Sequence, residues 1–313
     1  MAGQNRSAIR FRKSGRKSKK SGALVTVLVC ILACVLVYFY DFDFSGGKQP
    51  GETVMPDGSA QVHYINVGQG DSELIISDDG STMLIDAGEA EYGAAVVSYL
   101  ESLGVTELDY IVATHPHSDH IGGLSGVLGS DIEVGVVITP EIPEEYTPTT
   151  KTYERFLDAV DEKGCTLTAS SDASFEFGSG EITIIQPDYS GDNYNNYSTV
   201  VLFEFAGKSF LFTGDIEKSV EQDLIEAGYE LDADVLKVPH HGSSTSSCYD
   251  FLDAVSPEYC VIECGDSSYN HPNPDTVTRL RSYTDKIYRT DNDGSVVFTC
   301  SADGLSVSAE GQG

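Results

Sequence analysis

A histidine-rich segment that directly follows an apolar run places the strongest constraint on how this chain can fold. The run Tyr110–Ala113 leads into residues 114–120, which read Thr-His-Pro-His-Ser-Asp-His and contain three of the seven histidines in the 313-residue chain. Imidazole and carboxylate ligands suit zinc, manganese or iron, and four of them can serve two adjacent cations. The four ligand-type residues are His115, His117, Asp119 and His120. The segment therefore predicts a metal site at the end of a strand, rather than a plain polar loop.

Three further apolar runs end in residues of the same chemical type. Asp86 follows the run 83–85, Asp215 follows the run 210–212 after a Thr-Gly pair, and His240 and His241 follow the run 235–238 after a proline. Ligands on the rim of a rigid sheet are the arrangement that a metal site requires. We therefore expect these strand ends to meet at one edge of the fold. His240 is preferred over His241 as a ligand, because it comes first after the strand.

From residue 60 onward, the chain alternates short apolar strands with helical segments, among them a Gly-rich helix predicted over about residues 120–128. Hairpins are predicted around the turns at residues 78–80 and 206–208. This pattern predicts an α/β fold, namely an αββα sandwich of two mixed β-sheets flanked by helices. The predicted domain spans residues 60–310, and a Gly/Pro-rich stalk occupies residues 41–59 before it.

The N-terminal segment has the composition of a membrane anchor. Residues 1–20 carry eight Lys or Arg and no acid, and the uncharged, mostly apolar segment 21–40 follows. A segment of this length can cross a bilayer as a helix, and its basic flank stays on the cytoplasmic side. The sequence therefore predicts a basic cytoplasmic tail (1–20), a single-pass transmembrane helix (21–40) and an extracellular domain at the cell membrane. A cleaved signal peptide and a lipoprotein anchored at Cys34 are the two alternatives.

Charge is distributed unevenly along the chain. All 49 acidic residues lie after residue 40, together with 11 of the 19 basic residues, so this part carries a formal charge of −38. Such a charge opposes sequence-independent binding to nucleic acid, which depends on basic residues that neutralise phosphates. A local basic strip built from the cations late in the chain would be the exception: Lys237, Arg279, Arg281, Lys286 and Arg289.

Five cysteines lie beyond the predicted anchor: Cys165, Cys248, Cys260, Cys264 and Cys300. Their odd number and the size of the domain favour buried thiols, with a Cys260–Cys264 disulfide as the alternative. The sequence contains no CxxC pair, so a cysteine-based metal site is not expected.

These motifs resemble those of the metallo-β-lactamase fold superfamily, whose pattern is matched by Asp86, His115, His117, Asp119, His120, Asp215 and His240. Within it, residues 67–71 (Val-Gly-Gln-Gly-Asp), 213–215 (Thr-Gly-Asp) and 239–243 (Pro-His-His-Gly-Ser) look like the extracellular hydrolase domain of ComEC-type DNA-uptake competence proteins. Asn196-x-Ser198 and His271-Pro272 fit that pattern too. The resemblance covers roughly residues 60–308, and it therefore concerns the hydrolase domain alone.

The resemblance implies one or two divalent metal ions, zinc or manganese. It assigns His115 and His117 to the first ion, Asp119, His120 and His240 to the second, and Asp215 to both as a bridge. One departure concerns residues 193–198, where the superfamily usually supplies another histidine and this chain reads Asn-Tyr-Asn-Asn-Tyr-Ser. The first site is therefore short of ligands, and Asn196, Ser198 or water are the candidates to complete it.

Two aspartates are expected to have supporting roles. Asp86 is predicted to fix a histidine tautomer or the neighbouring loop, with a plain turn residue as the alternative. Asp71 is predicted to be structural and to satisfy backbone donors in the Gly-rich turn at residues 68–71.

The resemblance also implies hydrolysis of a phosphodiester by a water molecule that the ions activate. Asp119 would hold or deprotonate that water, and His241 and His271 would contact the substrate or protonate the leaving group. The substrate would be DNA, a nucleotide or a smaller ester; the membrane would be contacted through the N-terminal helix, and no protein partner can be inferred. Two other functions stay open: a catalytically weak surface module that binds DNA or a partner, and a hydrolase of a small phosphodiester or another ester.

Overall fold

The computed structural model describes residues 56–266 and 268–312. The predicted tail (1–20), the predicted transmembrane helix (21–40) and most of the predicted stalk lie outside the described residues. Within the ranges that are described, no helix is long and apolar enough to cross a membrane.

Fifteen strands in the described ranges form two mixed sheets. They are β1 (Ala60–Tyr64), β2 (Glu73–Ile76), β3 (Thr82–Ile85), β4 (Glu107–Val112), β5 (Glu133–Thr139), β6 (Thr166–Ala169), β7 (Ala173–Phe177), β8 (Gly180–Ile185), β9 (Val200–Phe205), β10 (Lys208–Phe212), β11 (Val235–Lys237), β12 (Tyr259–Ile262), β13 (Ile287–Arg289), β14 (Val296–Ser301) and β15 (Gly304–Ala309). The first sheet has the order β15-β14-β1-β2-β3-β4-β5-β6, and the second has the order β13-β12-β11-β10-β9-β8-β7. Strands β3 to β6 run parallel, as do β10 to β13, and the other neighbours pair antiparallel.

Helices cover the outer face of each sheet. They are α1 (Gly93–Ser102), α2 (Ser118–Ile121), α3 (Leu124–Leu128) and α4 (Lys151–Lys163) in the first half, and α5 (Lys218–Ala227), α6 (Tyr249–Val255), α7 (Pro274–Leu280) and α8 (Thr290–Asp293) in the second. Apolar residues of α1, α3 and α4 pack on the first sheet, and those of α5, α6 and α7 pack on the second. A third apolar core lies between the sheets. The predicted αββα sandwich of two mixed sheets is therefore confirmed.

Aromatic side chains join the two sheets in the central core. The ring of Phe298 on β14 meets the rings of Tyr64 on β1 and Phe210 on β10 edge to face, each with centroids 6.0 Å apart. Such pairs add to the stabilisation that comes from burying their apolar area. These ring contacts therefore hold the two sheets together across the central core.

The helix predicted over residues 120–128 is instead two short helices, α2 and α3, with Gly122 and Gly123 between them. A Cβ on Gly123 would lie 2.1 Å from the carbonyl oxygen of Ala87, and one on Gly122 would lie 2.4 Å from that of Ser118. The break therefore lets the backbone pack directly against the loop that follows β3.

The strands that carry the candidate site residues end at a common edge. β3 and β4 are parallel neighbours in the first sheet, and β10 and β11 are parallel neighbours in the second. The segments after their carboxyl ends contain Asp86, residues 114–120, Asp215 and residues 240–241. Ligands of α/β proteins bind in the crevice outside the carboxyl ends of such strands.

Candidate metal centre

The strand ends bring buried nitrogen and oxygen atoms to one carboxylate. Oδ2 of Asp215 lies 3.3 Å from Nε2 of His120, 3.5 Å from Nε2 of His241 and 3.9 Å from Nε2 of His115. Asp119 contacts the same group of atoms, because its Oδ2 lies 3.4 Å from Nε2 of His241. His115, His120 and Asp215 are close enough to one another to share one cation.

Two of these histidines are fixed through Nδ1. Nδ1 of His120 lies 2.7 Å from a carboxylate oxygen of Asp86, which confirms the predicted role of that aspartate. Nδ1 of His241 lies 2.9 Å from the backbone carbonyl oxygen of Glu263. An acceptor on Nδ1 selects the tautomer that leaves Nε2 available as a ligand. Accordingly, Nε2 of both rings is buried and has no hydrogen-bond partner among the described residues.

His115 is tied to Asp215 through a serine. Nδ1 of His115 lies 3.2 Å from Oγ of Ser198 and 3.1 Å from Oγ1 of Thr114, and its Nε2 lies 3.0 Å from Nδ1 of His117. The same Ser198 oxygen accepts the backbone N–H of Asp215 at 3.0 Å. Ser198 therefore positions two site residues at once. Its Oγ contacts Nδ1 of His115, the ring nitrogen that faces away from Asp215, and it accepts the backbone N–H of Asp215.

Asn196, one of the candidates to complete the first site, has a different role, and its neighbour Asn195 lies closer to the cavity. Asn196 accepts the backbone N–H of Glu217 through Oδ1 at 3.0 Å, so this oxygen is engaged away from the histidines. Asn195 instead lines the site cavity, and its buried Oδ1 has no hydrogen-bond partner among the described residues. Its Nδ2 lies 3.4 Å from Nε2 of His240.

His240 lies at the edge of the centre, whereas His241 lies inside it. Nε2 of His240 is 3.9 Å from Asp215, and its Nδ1 is 3.2 Å from Oγ1 of Thr245. Both histidines have positive φ values, 53° for His240 and 50° for His241. Non-glycine residues adopt this conformation at a cost and are concentrated at functional sites. The backbone turn directs the second histidine inward.

Lys237 forms a fully buried ion pair behind the centre. Its Nζ pairs with the carboxylate of Asp71, donates to the carbonyl oxygen of Gly214 at 3.0 Å, and lies 3.8 Å from Oδ1 of Asp215. Asp71 also lies 3.3 Å from Nδ1 of His241. The prediction that the Asp71 side chain serves backbone donors in its turn is therefore wrong, because it binds Lys237.

Three of the five residues of the predicted basic strip are buried or paired with an acid. Lys237 is buried, while Lys286 pairs with Glu258 at 2.5 Å and Arg289 pairs with Asp291 at 2.6 Å. Cations that are buried or neutralised cannot form a continuous basic surface.

The five cysteines of the described ranges are free thiols, and the alternative Cys260–Cys264 disulfide is absent.

Two buried glutamates lie next to Asp71. Oε2 of Glu73 and Oε2 of Glu263 are buried without hydrogen-bond partners among the described residues. Burial and mutual repulsion raise the pKa of Glu73 well above its usual value, and burial together with the charge of Asp71 raises that of Glu263. Sequence reasoning missed both residues, as it missed the role of Lys237. The signal was a single charge within the apolar run 235–238, since lysine is almost never fully buried without a partner.

The electrostatics of the centre favour ionised carboxylates. Burial opposes the charge on Asp119, but the neighbouring His241, whose Nε2 lies 3.4 Å from Oδ2, and the nearby His120 outweigh it and lower its pKa. Burial likewise disfavours a charged His241, but Asp215 and Asp71 raise its pKa to about 10. Burial lowers the pKa of His271 to about 4. Divalent cations bind anionic oxygens and neutral imidazole, so a metal ion held by His241 displaces the proton that Asp215 and Asp71 stabilise on its ring.

The predicted catalytic residues line one cavity of about 210 Å³, into which His117, Asp119, His240, His241 and His271 all open. Nδ1 of His271 is buried without a hydrogen-bond partner among the described residues. Neither lysine nor arginine lines this cavity in the described part of the chain.

These residues fit a divalent metal ion. Buried polar atoms normally have hydrogen-bond partners, so each exception requires an explanation such as an ion. Here Nε2 of His120, Nε2 of His241 and Oδ1 of Asp215 are such exceptions, and all belong to residues in mutual contact. Imidazole nitrogen together with carboxylate oxygen suits zinc and also manganese.

Comparison with known proteins finds relatives over most of the chain. It is 26% identical over 258 residues to ComE operon protein 3 of Bacillus subtilis (strain 168), an alignment that covers 76% of this chain and 33% of that protein. It is 33% identical over 250 residues to Competence protein ComA of Neisseria gonorrhoeae, which covers 78% of this chain and 33% of that protein. The chain thus spans about a third of the length of these relatives.

A solved structure and a family model also match. The structure is Igni18, a metallo hydrolase from the archaeon Ignicoccus hospitalis KIN4/I, with a TM-score of 0.49 and 16% sequence identity over 76% of this chain and 98% of that one. The family model is described as the Metallo-beta-lactamase superfamily, and it matches residues 65–262, more than half of the chain. The two mixed sheets flanked by helices and the histidine-aspartate clusters agree with that match. The chain therefore belongs to the metallo-β-lactamase superfamily.

Proposed function

We propose that this chain is a metal-dependent phosphodiesterase of the nuclease type. One observation carries the proposal: Nε2 of His120 and Nε2 of His241 are buried without partners, and both lie within 3.5 Å of the Asp215 carboxylate. Similarity to proteins named for competence spans most of the chain and favours DNA or a related phosphodiester as the substrate.

We assign one or two divalent ions, zinc or manganese, to the residues of the centre. His115 and His117 would hold the first ion, Asp119 and His120 the second, and Asp215 would bridge them. For the remaining position at the second ion, the geometry favours His241 over His240. Nε2 of His241 is buried and unpartnered, whereas Nε2 of His240 faces the side-chain amide of Asn195.

The residues around the cavity have complementary roles in this proposal. Bound divalent ions supply Lewis-acid activation of water and of the phosphoryl group. Asp119 opens into the cavity and keeps its carboxylate ionised, so it can orient a water molecule and accept its proton. His271 opens into the same cavity with an unpartnered Nδ1, and its neutral ring is placed to form a hydrogen bond with the substrate.

Replacement of Asp119 tests the proposal. With zinc or manganese, we expect Asp119→Ala to lower turnover of a chromogenic phosphodiester by about 10³-fold, because the group that orients and deprotonates water is lost. Asp131→Ala, which removes an exposed carboxylate, is the matched control and should keep wild-type turnover. Circular dichroism checks that both variants fold.

A chromogenic cephalosporin and linear DNA, assayed beside the phosphodiester, separate the reaction classes. Cleavage of the cephalosporin alone would replace the proposal with a β-lactamase activity. Stoichiometric metal without turnover of any of the three substrates would favour a binding module instead.

We further propose that residues 21–40 anchor the chain in the cell membrane and place the hydrolase domain outside. The eight basic residues before an uncharged segment support this orientation. Protease added to intact cells should digest the domain and spare the tail. A domain protected until the cells are lysed would refute this topology.

A further inference from the structure

A second cavity lies beside the catalytic one and is joined to it through Thr245. This cavity has a volume of about 360 Å³. Thr245 lines it, and Oγ1 of Thr245 lies 3.2 Å from Nδ1 of His240, whose ring lines the catalytic cavity. The two cavities are therefore neighbours on either side of the contact between His240 and Thr245.

The second cavity has the chemistry that the catalytic cavity lacks. Lys218 and Arg279 provide two cations, the hydroxyls of Ser244 and Thr245 add polar contacts, and the ring of Tyr249 is 58% exposed. One carboxylate, that of Asp250, lies among the lining residues, so the formal charge of the cavity is positive. Cations, hydroxyls and an exposed aromatic ring are the groups that bind single-stranded nucleic acids.

The loop that forms this cavity is fixed from inside. The buried carboxylate of Glu221 accepts the backbone N–H of Ser247 and, at 2.8 Å, that of Cys248. Arg279 donates through Nη1 to the carbonyl oxygens of Ser246 and Ser247 at 3.0 and 2.6 Å. A loop that is already ordered loses little conformational entropy when a ligand binds.

Lys218 has no acidic partner among the described residues, unlike four of the other nine lysines and arginines there. Lys208, Lys237, Lys286 and Arg289 all form ion pairs with carboxylates, whereas none of the described carboxylates pairs with Lys218. In a chain with a net charge of −30, an unpaired cation beside the reaction site is a specific attraction for an anion.

We propose that the second cavity binds the nucleotide adjacent to the scissile phosphodiester of a single-stranded polynucleotide. Lys218 contacts the phosphate of that nucleotide, and its base stacks on Tyr249. This assignment rests on the proposed phosphodiesterase function and narrows its substrate from any phosphodiester to a polynucleotide.

The proposal has a quantitative signature in salt. One phosphate contact on a single strand gives a slope of about −0.7 in a plot of log affinity against log salt concentration. Lys218→Gln should therefore make the slope for an oligonucleotide less negative by about 0.7, the share of that one contact. Tyr249→Ala should leave the slope unchanged and raise the KM roughly tenfold, because it removes one stacking contact.

The test uses the metal-loaded full-length protein, a single-stranded hexanucleotide and bis(4-nitrophenyl) phosphate. The measured quantity is the ratio of kcat/KM for the oligonucleotide to kcat/KM for the small ester. We expect this ratio to fall roughly tenfold in Lys218→Gln and in Tyr249→Ala. Lys151→Gln, which removes an exposed cation at the start of α4, is the matched control and should keep the wild-type ratio.

The possible outcomes distinguish the nucleotide subsite from the phosphodiesterase activity on which it rests. Wild-type cleavage of both substrates with unchanged ratios in both cavity variants would overturn the nucleotide subsite and leave the phosphodiesterase standing. Cleavage of the small ester alone would also overturn it, in favour of a small natural substrate. Failure of the metal-loaded wild type on both substrates would refute the phosphodiesterase itself.

Discussion

At the scale of single residues, the centre depends on groups that hold its histidines in place. Asp86 and the carbonyl oxygen of Glu263 occupy Nδ1 of His120 and of His241, respectively, and Ser198 occupies Nδ1 of His115. Each of these contacts fixes a ring before a metal ion arrives. Such supporting groups typically change metal affinity by 10- to 100-fold when they are removed.

The two adjacent histidines should differ in their effect on metal content. We expect His241→Ala to lose about one equivalent of zinc on dialysis, because its unpartnered Nε2 faces Asp215. His240→Ala should retain the wild-type content, since His240 lies at the cavity edge with its Nδ1 next to Thr245. Elemental analysis of both variants measures the difference. The reverse order would restore His240 as the ligand.

The sequence predicted which residues gather at the centre, and it preferred His240 over His241 as the ligand. The apolar run 235–238 indicates where the strand ends, and the histidine that comes first after the strand was expected to be the metal ligand. The positive φ values at His240 and His241 instead bring Nε2 of His241 to 3.5 Å from Asp215, against 3.9 Å for His240, and such values are set by tertiary packing. The Lys237–Asp71 pair was missed for the same reason, because its partners are distant in sequence.

At the scale of elements, the tight turn between β1 and β2 supports the metal loop. The backbone N–H of Asp71 donates to the carbonyl oxygen of Asp119 at 3.1 Å. Gly70 has a φ of 146°, and a Cβ there would lie only 2.3 Å from the same oxygen. Glycine is therefore required at this position for both its conformation and its small size.

Alanine at Gly70 should damage both stability and metal binding. Gly80, which has a φ of 93° and open space around its Cβ direction, provides a control for the conformational effect alone. We expect Gly80→Ala to cost about 1–2 kcal/mol and Gly70→Ala clearly more, because its Cβ also displaces Asp119. Urea unfolding and zinc titration measure the two effects. Equal losses of stability and zinc binding in both variants would show that the close contact between Gly70 and the carbonyl oxygen of Asp119 has no role.

The contact between β1 and α1 should make stability depend on pH. Burial lowers the pKa of His63 to about 4, and its Nδ1 lies 2.9 Å from the hydroxyl of Tyr99. The unfolded chain, with a pKa of about 6.5, takes up this proton first. Stability from this residue is therefore complete above about pH 6.5 and is lost as the pH falls toward 4, by at most about 3 kcal/mol.

His63→Gln is the variant that isolates this effect. It removes the titrating ring, so the free energy of unfolding should fall less between pH 7 and pH 4 than in the wild type. Urea titrations at both pH values measure the difference. Identical pH dependence in the two proteins would mean that another group dominates.

The order of strands and helices was predictable at this scale, because apolar periodicity and turn residues are local signals. The hairpin of β2 and β3 around the turn at residues 78–80 is confirmed. The break between α2 and α3 was not predicted, since it follows from contact with the distant Ala87 backbone. Local patterns predict elements well, whereas close packing between elements is decided by the whole fold.

At the scale of the whole molecule, negative charge dominates the part of the chain after residue 40. The chain carries a net charge of −30, and among the described residues Lys237, Lys286 and Arg289 are each paired with a carboxylate. Self-repulsion of this kind destabilises a compact protein, and salt screens it. The same charge limits contact with nucleic acid to short, local sites.

Added salt should therefore stabilise this protein. We expect the Tm to rise by a few degrees between about 20 mM and about 300 mM sodium chloride, as the Debye length shortens below the spacing of surface charges. Calorimetry of metal-loaded protein at both concentrations measures the shift. An unchanged or lower Tm would show that the surface ion pairs outweigh the repulsion.

The centre draws on both sheets, and this has a consequence for timing during synthesis. His115 and His120 follow a strand of the first sheet, whereas Asp215 and His241 follow strands of the second. A growing chain that has made only strands β1 to β6 lacks the bridging carboxylate. The ribosome must pass His241, beyond β11, before any metal can be held by all of these groups. The complete set of candidate metal-holding groups is thus available only late in synthesis, after most residues of the apolar cores have been made.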